Sequence, residues 1–416
     1  MVIYSFRVVE IEGSRYGADQ RQMIYLDVTG SCKSAKSTGI QRATRSIFCE
    51  LGRRETILPM SWNLLGKCYQ RLGRRELQIL QDPFRVLARS TARPDLRGEN
   101  PIAELLRLLF RESIPLKTKM ESGDVLFVPD MYRDARVSYL PQLIRETGVR
   151  AVVIFHDAAA LRLRLMRNRA LARFEKYIDS LATFHLVICV SRDSQEHLHQ
   201  LWREHGTKPT ETCVEELPPG DLDPTDREEP SREDSASVPV ILSVGTLEPR
   251  KNHLTLLRAA EILWKDGFSF ELQLIGRSTG YYGHKVISPM KQLQRAGYRI
   301  RWLQHVNDRA LHRAYRSCRF TVYPSRMEGF GLPIAESLRH GKPCVCGGNG
   351  ALGELARPGG CLIVDQTSAD ALAGAMRTLL ADNATYERLS ADARARDFRT
   401  WTDYIDRLQE RLKGSA

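Results

Sequence analysis

Two glutamates stand eight positions apart in a segment that reads YPSRMEGFGLPIAE over residues 323–336. They are Glu328 and Glu336, and Gly-Phe-Gly lies between them. An ionised carboxylate only accepts hydrogen bonds, and a sugar diol offers it two hydroxyl donors. These residue types therefore suggest a binding site for a hydroxyl-rich ligand such as a sugar or a nucleoside.

The elements on either side of this segment favour an anionic ligand. The apolar run at 320–323 predicts a buried strand, and PIAESLRHG at 333–341 predicts a helix. Backbone N–H groups and the dipole at a helix N-terminus attract negative charge. A ligand that carries both phosphates and hydroxyls, such as a nucleotide sugar, fits both features. One alternative stays open, because Ser325-x-x-Glu328 also fits a helix capping box, with Glu336 in the first turn of the helix.

Two basic residues, Arg250 and Lys251, lie in the segment VGTLEPRKNHLTLLRAAEIL that opens the second half of the chain. A predicted strand ends at Val244 and a predicted helix begins near Asn252, so both cations lie just before a helix. One charge pair at about 4 Å is worth roughly 4 kcal/mol at an effective dielectric near 20. Two cations could therefore replace a metal ion at a diphosphate. The alternative is a solvated pair at the start of a helix.

Two positions in the first half of the chain follow predicted strands. His156 comes directly after the apolar run 151–155 and is followed by Asp157. At the carboxyl end of a parallel strand a histidine faces the cleft rather than the core. Gly39 lies at the start of a helix-forming segment after the strand 23–28, and glycine permits close approach of the backbone to a ligand. Both positions are candidates for ligand contacts, with Asp157 as an orienting neighbour or a turn residue.

The order of the predicted elements indicates an α/β fold with parallel sheets of the doubly wound type. Short apolar runs alternate with amphipathic helical segments. These runs span residues 23–28, 124–129, 151–155, 186–190, 240–245, 271–276, 320–325 and 343–347. The arginine-rich region 53–122 shows helical patches and no clear strand, and residues 1–22 show no clear pattern.

The chain length of 416 residues exceeds one ordinary core and favours two domains of roughly 200 residues. Residues 223–237 are rich in charge, serine and proline, which is typical of a linker. We therefore expect two Rossmann-like domains that face each other across a cleft, with the ligand at the carboxyl ends of the strands. The predicted bounds are 1–222 for the first domain, 223–238 for the linker, 239–395 for the second domain and 396–416 for a C-terminal helix.

The composition narrows the class of protein. A formal net charge of +12 is compatible with nucleic acid, anionic lipid or a phosphorylated substrate as partner, but no nucleic-acid reader motif occurs. No stretch approaches the roughly 18 to 20 apolar residues of a membrane span, and the N-terminus lacks the order of a signal peptide. The nine scattered cysteines have no metal-ligand spacing and indicate reduced thiols. We therefore expect a cytoplasmic protein.

The basic segment 161–178, LRLRLMRNRALARFEKYI, predicts an amphipathic helix with arginines between leucines. Such a helix fits an anionic membrane surface that presents a lipid-linked acceptor. An ordinary solvated face above a core-facing stripe is the alternative. The inner face of the membrane is accordingly a candidate peripheral location.

The segment 323–336 resembles the E-x7-E signature of the family-four retaining glycosyltransferases, which have the GT-B fold. Both glutamates, the GFG between them and the following Leu-Pro occupy the positions that the family has. The segment GTLEPRKN at 245–252 is similar to the family's diphosphate-binding segment, with Thr246 where many members have arginine. The division of labour between Arg250 and Lys251 is therefore open. In the GT-B fold the last helix often packs back on the first domain.

The resemblance implies a role for each candidate residue. Four residues would act at the reacting centre: His156, Arg250, Lys251 and Glu328. Eight more would bind the donor: Gly39, Thr246, Arg277, Val306, Phe330, Gly331, Leu332 and Glu336. Glu336 would hold the ribose hydroxyls, Glu328 the donor-sugar hydroxyls, and His156 would contact the sugar near its C6 hydroxyl. The backbone amides of 330–332 would contact the sugar and phosphates, while Gly276-Arg277 and His305-Val306 would line the nucleobase.

The branch of the family that the chain resembles includes bacterial mannosyl- and rhamnosyl-type transferases of surface-polysaccharide synthesis. The resemblance implies a retaining hexosyltransferase with GDP-mannose as the best candidate donor and a saccharide or lipid-linked saccharide as acceptor. We expect no cofactor and no metal, since Asp221-Leu-Asp223 spells a D-x-D at the edge of the linker rather than after a strand. The open alternatives are a UDP- or dTDP-sugar donor, an inverting GT-B transferase, a non-catalytic nucleotide-sugar-binding protein and a basic nucleic-acid-binding protein.

Overall fold

The computed structural model describes residues 22–34, 38–82, 113–166, 168–220, 238–278, 280–304 and 306–414. Several sequence predictions fall outside these ranges. They concern residues 1–21, the linker 223–238 apart from Val238, the pair Asp221 and Asp223, and His305.

The first of two sheets has seven strands in the order β3-β2-β1-β4-β5-β6-β7. The strands are β1 (Ile24–Asp27), β2 (Ile57–Asn63), β3 (Cys68–Arg71), β4 (Val125–Val128), β5 (Arg150–Phe155), β6 (Leu186–Cys189) and β7 (Glu211–Val214). Neighbouring strands are parallel, except that β3 pairs antiparallel with β2. The residues of β1 and β4 are buried throughout, as expected for central strands with helices on both faces.

The second sheet has six parallel strands in the order β10-β9-β8-β11-β12-β13. The strands are β8 (Val240–Val244), β9 (Glu271–Ile275), β10 (Ile300–Leu303), β11 (Phe320–Tyr323), β12 (Cys344–Cys346) and β13 (Cys361–Ile363). In both sheets the strand order reverses next to the first strand of the domain, β1 or β8. In open α/β sheets such a reversal leaves a crevice at the carboxyl ends of the strands, where ligands bind.

Helices connect the strands. The first domain has α1 (Thr29–Cys32), α2 (Gly39–Leu51), α3 (Arg74–Gln81), α4 (Leu116–Lys119), α5 (Arg136–Thr147), α6 (Ala159–Arg162), α7 (Arg169–Leu181) and α8 (Arg192–His205). The second half has α9 (His253–Lys265), α10 (Gly280–Arg295), α11 (Asp308–Ser317), α12 (Leu332–Arg339), α13 (Gly350–Ala356), α14 (Ala369–Ala381), α15 (Asn383–Arg394) and α16 (Trp401–Lys413). A short 3-10 helix, Pro249–Lys251, precedes α9.

Each of the eight apolar runs forms a strand, and the described residues contain five further strands that were not predicted from the sequence. Four of the five, β3, β7, β10 and β13, are the edges of the two sheets. The prediction that 53–122 contains no strand is wrong, because β2 and β3 lie there. Pro59 within β2 has no N–H and argues against a strand, yet its Cα is paired with that of Leu26 in β1.

The prediction of one helix over 161–178 is also wrong. Helix α6 ends at Arg162 and α7 begins at Arg169. Between them Arg164 and Asn168 have φ values of 51° and 52°. Residues other than glycine reach this left-handed backbone at a cost, and it cannot continue a right-handed helix.

The last helix, α16, packs against α2 of the first domain. Its buried face carries Trp401, Tyr404, Ile405, Leu408 and Leu412, which belong to one hydrophobic cluster with residues of both halves. The cluster shows that the two halves share apolar contacts. In the described ranges no helix is long and apolar enough to cross a membrane.

Candidate functional site

A cavity of about 830 Å³ lies between the two halves of the molecule. The first half contributes the start of α2 and the segments that follow β4, β5 and β6. The second half contributes the segments that follow β8, β9, β10 and β11. The cavity therefore lies at the carboxyl ends of both sheets, where the strand order predicts a ligand.

The twelve residues assigned to the reacting centre or to donor binding all line this cavity. They are Gly39, His156, Thr246, Arg250, Lys251, Arg277, Val306, Glu328, Phe330, Gly331, Leu332 and Glu336. The structure brings together residues from both halves of the chain, while the role of each stays a prediction.

Glu328 is the centre of a buried polar cluster. It is 8% exposed, and its Oε1 accepts hydrogen bonds from Lys251 Nζ at 2.6 Å and from the Tyr323 hydroxyl at 2.8 Å. Ser325 Oγ also donates to Oε1, and Arg250 Nη1 donates to Oε2. Burial by itself would raise the pKa of Glu328, but the charges of Lys251 and Arg250 outweigh it and lower the pKa to about 2. The carboxylate is therefore ionised at neutral pH.

Two alternatives from the sequence are wrong at this cluster. Arg250 and Lys251 are not a solvated pair, because their side chains are 23% and 11% exposed and both contact Glu328. Glu328 is not part of a capping box, because α12 begins only at Leu332 and its N-cap is Gly331. Gly331 has a φ of 108°, which favours glycine and allows the backbone to turn into the helix.

The two cations differ in their electrostatic environment. Arg250 also pairs with Glu248, with Nε 2.7 Å from Oε1. Burial opposes the charge of Arg250, but the attraction of Glu328 and Glu248 raises its pKa above the ordinary value. The pKa of Lys251 is lowered, because burial and the nearby Arg250 outweigh its attraction to Glu328. Of the two cations, Lys251 therefore loses its proton more easily.

Glu336 lies at a second polar cluster of the cavity. It is the fifth residue of α12 rather than a residue of the first turn, and it is 3% exposed. Its Oε1 is 2.5 Å from Arg42 Nη1, and its Oε2 accepts a hydrogen bond from the Tyr315 hydroxyl at 2.7 Å. Because Arg42 belongs to α2, the ion pair joins the two domains.

Two histidines lie behind Glu336. His340 Nδ1 is 2.7 Å from the Glu336 carbonyl oxygen, and His340 Nε2 is 3.1 Å from His312 Nδ1. The carbonyl can only accept, so Nδ1 of His340 carries the hydrogen and Nε2 accepts from His312. Burial and the neighbouring His312 lower the pKa of His340 to about 4. His340 is therefore neutral at physiological pH.

His156 lines the cavity but is only 4% exposed. Its Nε2 is 2.7 Å from the Pro129 carbonyl oxygen, so Nε2 carries the hydrogen. Burial lowers the pKa of His156, which keeps the ring neutral. The expected orientation toward the cleft therefore leaves only Nδ1 of the ring as a hydrogen-bond acceptor.

Gly329 lies at a close approach of the two domains. A Cβ atom at this position would lie 1.9 Å from the His156 carbonyl oxygen and 2.7 Å from Asp157 Cβ. The Gly329 carbonyl also accepts hydrogen bonds from Ser191 Oγ at 2.5 Å and Ser194 Oγ at 3.0 Å. Only glycine fits here, since the clash would be with backbone.

Three residues that hold the two glutamates were not predicted as site residues from the sequence. Tyr323 was placed in a strand without a role, Tyr315 was not singled out, and Arg42 lies in the helix-forming segment from which only Gly39 was selected. A tyrosine that ends a strand directly before a polar loop is a weak signal. Nothing local to Tyr315 or Arg42 points to Glu336. Among the described residues no group of three or more metal-binding side chains occurs.

Comparison with known proteins agrees with this geometry. The family model of "Glycosyl transferases group 1" matches residues 225–396. The serotype-specific mannosyltransferase WbdA of Escherichia coli is 25% identical over 341 residues, which cover 77% of this chain and 37% of WbdA. The O-antigen chain mannosyltransferase B of Escherichia coli is 30% identical over 270 residues, covering 61% of this chain and 66% of the relative. The chain thus spans less than two-fifths of the WbdA length.

Solved structures extend the likeness to the whole fold. HepE of Anabaena, solved with UDP and glucose, has a TM-score of 0.63 at 15% identity, with coverage of 95% of this chain and 100% of HepE. Sucrose-phosphate synthase of Thermosynechococcus elongatus has a TM-score of 0.62 at 16% identity, with coverage of 94% and 98%. Two parallel-sheet domains with a cavity between them are the GT-B architecture. Residues 225–396 therefore match the group 1 glycosyl transferases, and the chain has the GT-B fold.

Proposed function

We propose that this protein is a retaining, metal-independent glycosyltransferase that moves a hexose from a nucleotide sugar to a saccharide or lipid-linked saccharide. The observation that carries the proposal is the cluster at Glu328. One buried, ionised carboxylate is held by Lys251 and Arg250 at the wall of an 830 Å³ cavity. A carboxylate for sugar hydroxyls and two cations for a diphosphate thus lie side by side.

The same cluster supports a mechanism without a metal ion. As the bond from the anomeric carbon to the diphosphate oxygen breaks, negative charge develops on that oxygen. Lys251 and Arg250 have N–H donors beyond those given to Glu328 and can stabilise this charge. The acceptor hydroxyl attacks on the face that the diphosphate leaves, and its proton goes to the departing phosphate oxygen. The configuration at the anomeric carbon is retained, and no protein nucleophile is needed.

The second cluster supports the orientation of the donor. Glu336 would accept hydrogen bonds from the ribose hydroxyls, while Glu328 binds those of the sugar. The nucleobase would lie near Arg277 and Val306, which line the same cavity. The backbone N–H groups of 330–332 lie where α12 begins, and a helix N-terminus favours the phosphates.

Mannose is the sugar that the relatives favour. WbdA and the O-antigen chain mannosyltransferase B are both mannosyltransferases by name. We therefore propose GDP-mannose as donor and bacterial surface-polysaccharide synthesis as the process, with UDP- and dTDP-sugars as alternative donors. HepE was solved with UDP and glucose, and a UDP-sugar is therefore retained as an alternative donor.

Thermal unfolding with a panel of nucleotides tests the proposal. The panel is GDP, UDP, dTDP, ADP and CMP, each with and without EDTA. A ligand at about a hundred times its dissociation constant stabilises the folded state by roughly 2.7 kcal/mol. Stabilisation by GDP that does not depend on EDTA is expected, and the anomeric configuration of the product, read by NMR, would then confirm retention. No stabilisation by any nucleotide would contradict the proposed function.

The acceptor is proposed to reach the protein from an anionic membrane surface on the cytoplasmic side. The segment from α6 to α7 exposes Arg164, Arg169, Arg173 and Lys176, together with Leu165, which is 43% exposed. Basic residues beside an exposed apolar side chain fit an anionic bilayer. Flotation with vesicles should increase with the fraction of anionic lipid. Flotation that does not depend on the fraction of anionic lipid would mean that the segment is an ordinary solvated surface.

A further inference from the structure

An ion pair between the two domains lies inside the cavity. Arg42 of α2 reaches across the cleft, and its Nη1 lies 2.5 Å from Glu336 Oε1. The two residues are 294 positions apart in the chain, and both line the cavity. Their side chains are 22% and 4% exposed, so the pair is largely removed from water.

Glu336 is held on both oxygens. Arg42 donates to Oε1, and the hydroxyl of Tyr315, a buried residue of the second domain, donates to Oε2. An ionised carboxylate has about four lone-pair positions, so roughly two remain for a ligand. A ribose diol supplies two hydroxyl donors. The carboxylate can therefore bind the diol while it keeps both protein contacts.

The charge balance explains why a cation is needed there. A carboxylate as buried as Glu336 is costly to keep ionised unless an opposite charge is near. Arg42 supplies this charge, and the attraction of Glu336 and of Asp308 raises the pKa of Arg42 against the effect of burial. Tyr315 is neutral and cannot do the same. A ribose is also neutral, so binding it without Arg42 would leave the carboxylate uncompensated.

We propose that Arg42 is a positioning residue for the nucleoside end of the donor. It pairs with Glu336 and fixes the orientation of its carboxylate, so that the 2′- and 3′-hydroxyls of ribose bind a group that residues of both domains hold in place. This inference rests on the proposed function, since it concerns the donor of that reaction. It adds that nucleoside recognition depends on a residue of the first domain and on the approach of the two domains.

A competing arrangement predicts the opposite effect of removing Arg42 on nucleotide affinity. If Arg42 merely occupied the place of the ribose hydroxyls, the donor would have to displace it. Removal of Arg42 would then tighten nucleotide binding. If Arg42 only held the domains together, its removal would weaken every nucleotide equally, whatever hydroxyls the nucleotide carries.

Isothermal titration calorimetry with GDP and 2′-deoxy-GDP separates these cases. The wild-type protein should bind GDP about tenfold or more tightly than 2′-deoxy-GDP, because a hydrogen bond to a charged group is lost. Arg42→Ala should raise the dissociation constant of GDP by about tenfold or more and bring the two nucleotides close to equal affinity. Arg42→Lys keeps the charge and should recover part of the preference for ribose. Tyr315→Phe leaves Arg42 in place and should weaken GDP binding less than Arg42→Ala does.

Arg54→Ala is the matched control. Arg54 follows α2 and pairs with Asp406 of α16, so it also joins α2 to a distant part of the chain, but outside the cavity. This variant should keep the preference for ribose. Tighter GDP binding by Arg42→Ala, or equal weakening for GDP and 2′-deoxy-GDP, would overturn the inference while leaving the proposed function standing. Failure of the wild-type protein to bind any nucleotide of the panel would instead overturn the proposed function and the inference with it.

Discussion

Charge compensation governs the individual side chains of the cavity. Glu328 is buried against two cations, and Glu336 is buried against Arg42 and a tyrosine hydroxyl. Both carboxylates are therefore acceptors with fixed orientation. The cations beside Glu328 line the same cavity, where a diphosphate would accept hydrogen bonds from the N–H groups that the glutamates leave free.

Lys251→Ala should lower the turnover number strongly. In the proposed mechanism the variant removes an N–H donor from the leaving phosphate, and loss of one such donor costs about 100-fold or more in rate. The measurement is the initial rate at saturating donor. Lys265→Ala removes an exposed lysine that pairs with Glu261 on the surface of α9, and it should leave the rate unchanged. A turnover number of Lys251→Ala equal to that of the wild type would contradict the role proposed for this lysine.

His340 should make the protein less stable as the pH falls from about 6.5 to about 4. Its pKa is about 4 in the folded state, below the ordinary value of 6.5. At pH values between these two, the unfolded chain binds a proton at His340 that the folded protein does not bind. The free energy of unfolding therefore decreases as the pH is lowered. From pH 7 to pH 5 the free energy of unfolding decreases by about 2 kcal/mol.

Urea unfolding of His340→Gln at both pH values checks this prediction. The variant should lose less stability between pH 7 and pH 5 than the wild type does. The exposed His284 provides the control, and His284→Gln should show the wild-type pH dependence. Equal losses in His340→Gln and in the wild type would show that His340 does not titrate in this way.

Loops at the carboxyl ends of the strands bring the elements of the two domains together. The Glu328–Gly331 loop follows β11 and meets the segment after β5 at the His156 carbonyl. The hydroxyls of Ser191 and Ser194, at the start of α8, donate to the Gly329 carbonyl from the same side. The contact is backbone on backbone, so it leaves no room for a side chain.

Gly329→Ala should slow the reaction without unfolding either domain. The new Cβ would lie 1.9 Å from the His156 carbonyl oxygen, so the domains must separate. Small-angle scattering should then show a larger radius of gyration, and the rate should fall. Gly374→Ala, in α14, meets no atom within 4 Å and should stabilise the protein by roughly 0.5–1 kcal/mol. Full activity of Gly329→Ala with an unchanged scattering profile would mean that close approach at this loop is not needed.

Contacts outside the cavity also hold the two halves of the molecule together. Helix α16 comes from the end of the chain but packs on α2 near its start. Arg150 Nε donates to the Leu412 carbonyl at 3.0 Å, and the buried Glu215 lies 2.9 Å from Arg399 Nη1. These contacts tie the two halves on the side of α16, while Arg42 and Gly329 join them at the cavity.

Leu408→Ala should destabilise the molecule. Leu408 is 1% exposed in the cluster shared by both halves, and loss of a buried leucine costs about 2–5 kcal/mol. Denaturant unfolding measures the change, and Arg407→Ala, one position away on the exposed face, should have little effect. A cost near zero for Leu408→Ala would mean that α16 contributes little to stability.

The sequence by itself determined the central strands and led to candidate residues that line one cavity. Buried parallel strands read as continuous apolar runs, so all eight runs form strands. The residues chosen around Glu328, Glu336 and Lys251 line one cavity, because strand, glycine and helix start follow one another within a few residues. Edge strands were missed, since they are short and half exposed, and β2 was missed because Pro59 interrupts its pattern.

Only the tertiary structure decided which partners hold these residues. Arg42 and Glu336 lie on different domains, 294 positions apart, and no local pattern relates them. Tyr315 and Tyr323 look like core residues until the fold directs their hydroxyls at the two glutamates. Strand and helix signals arise from neighbours in the chain, whereas a buried charge needs a partner that only the packing of both domains supplies.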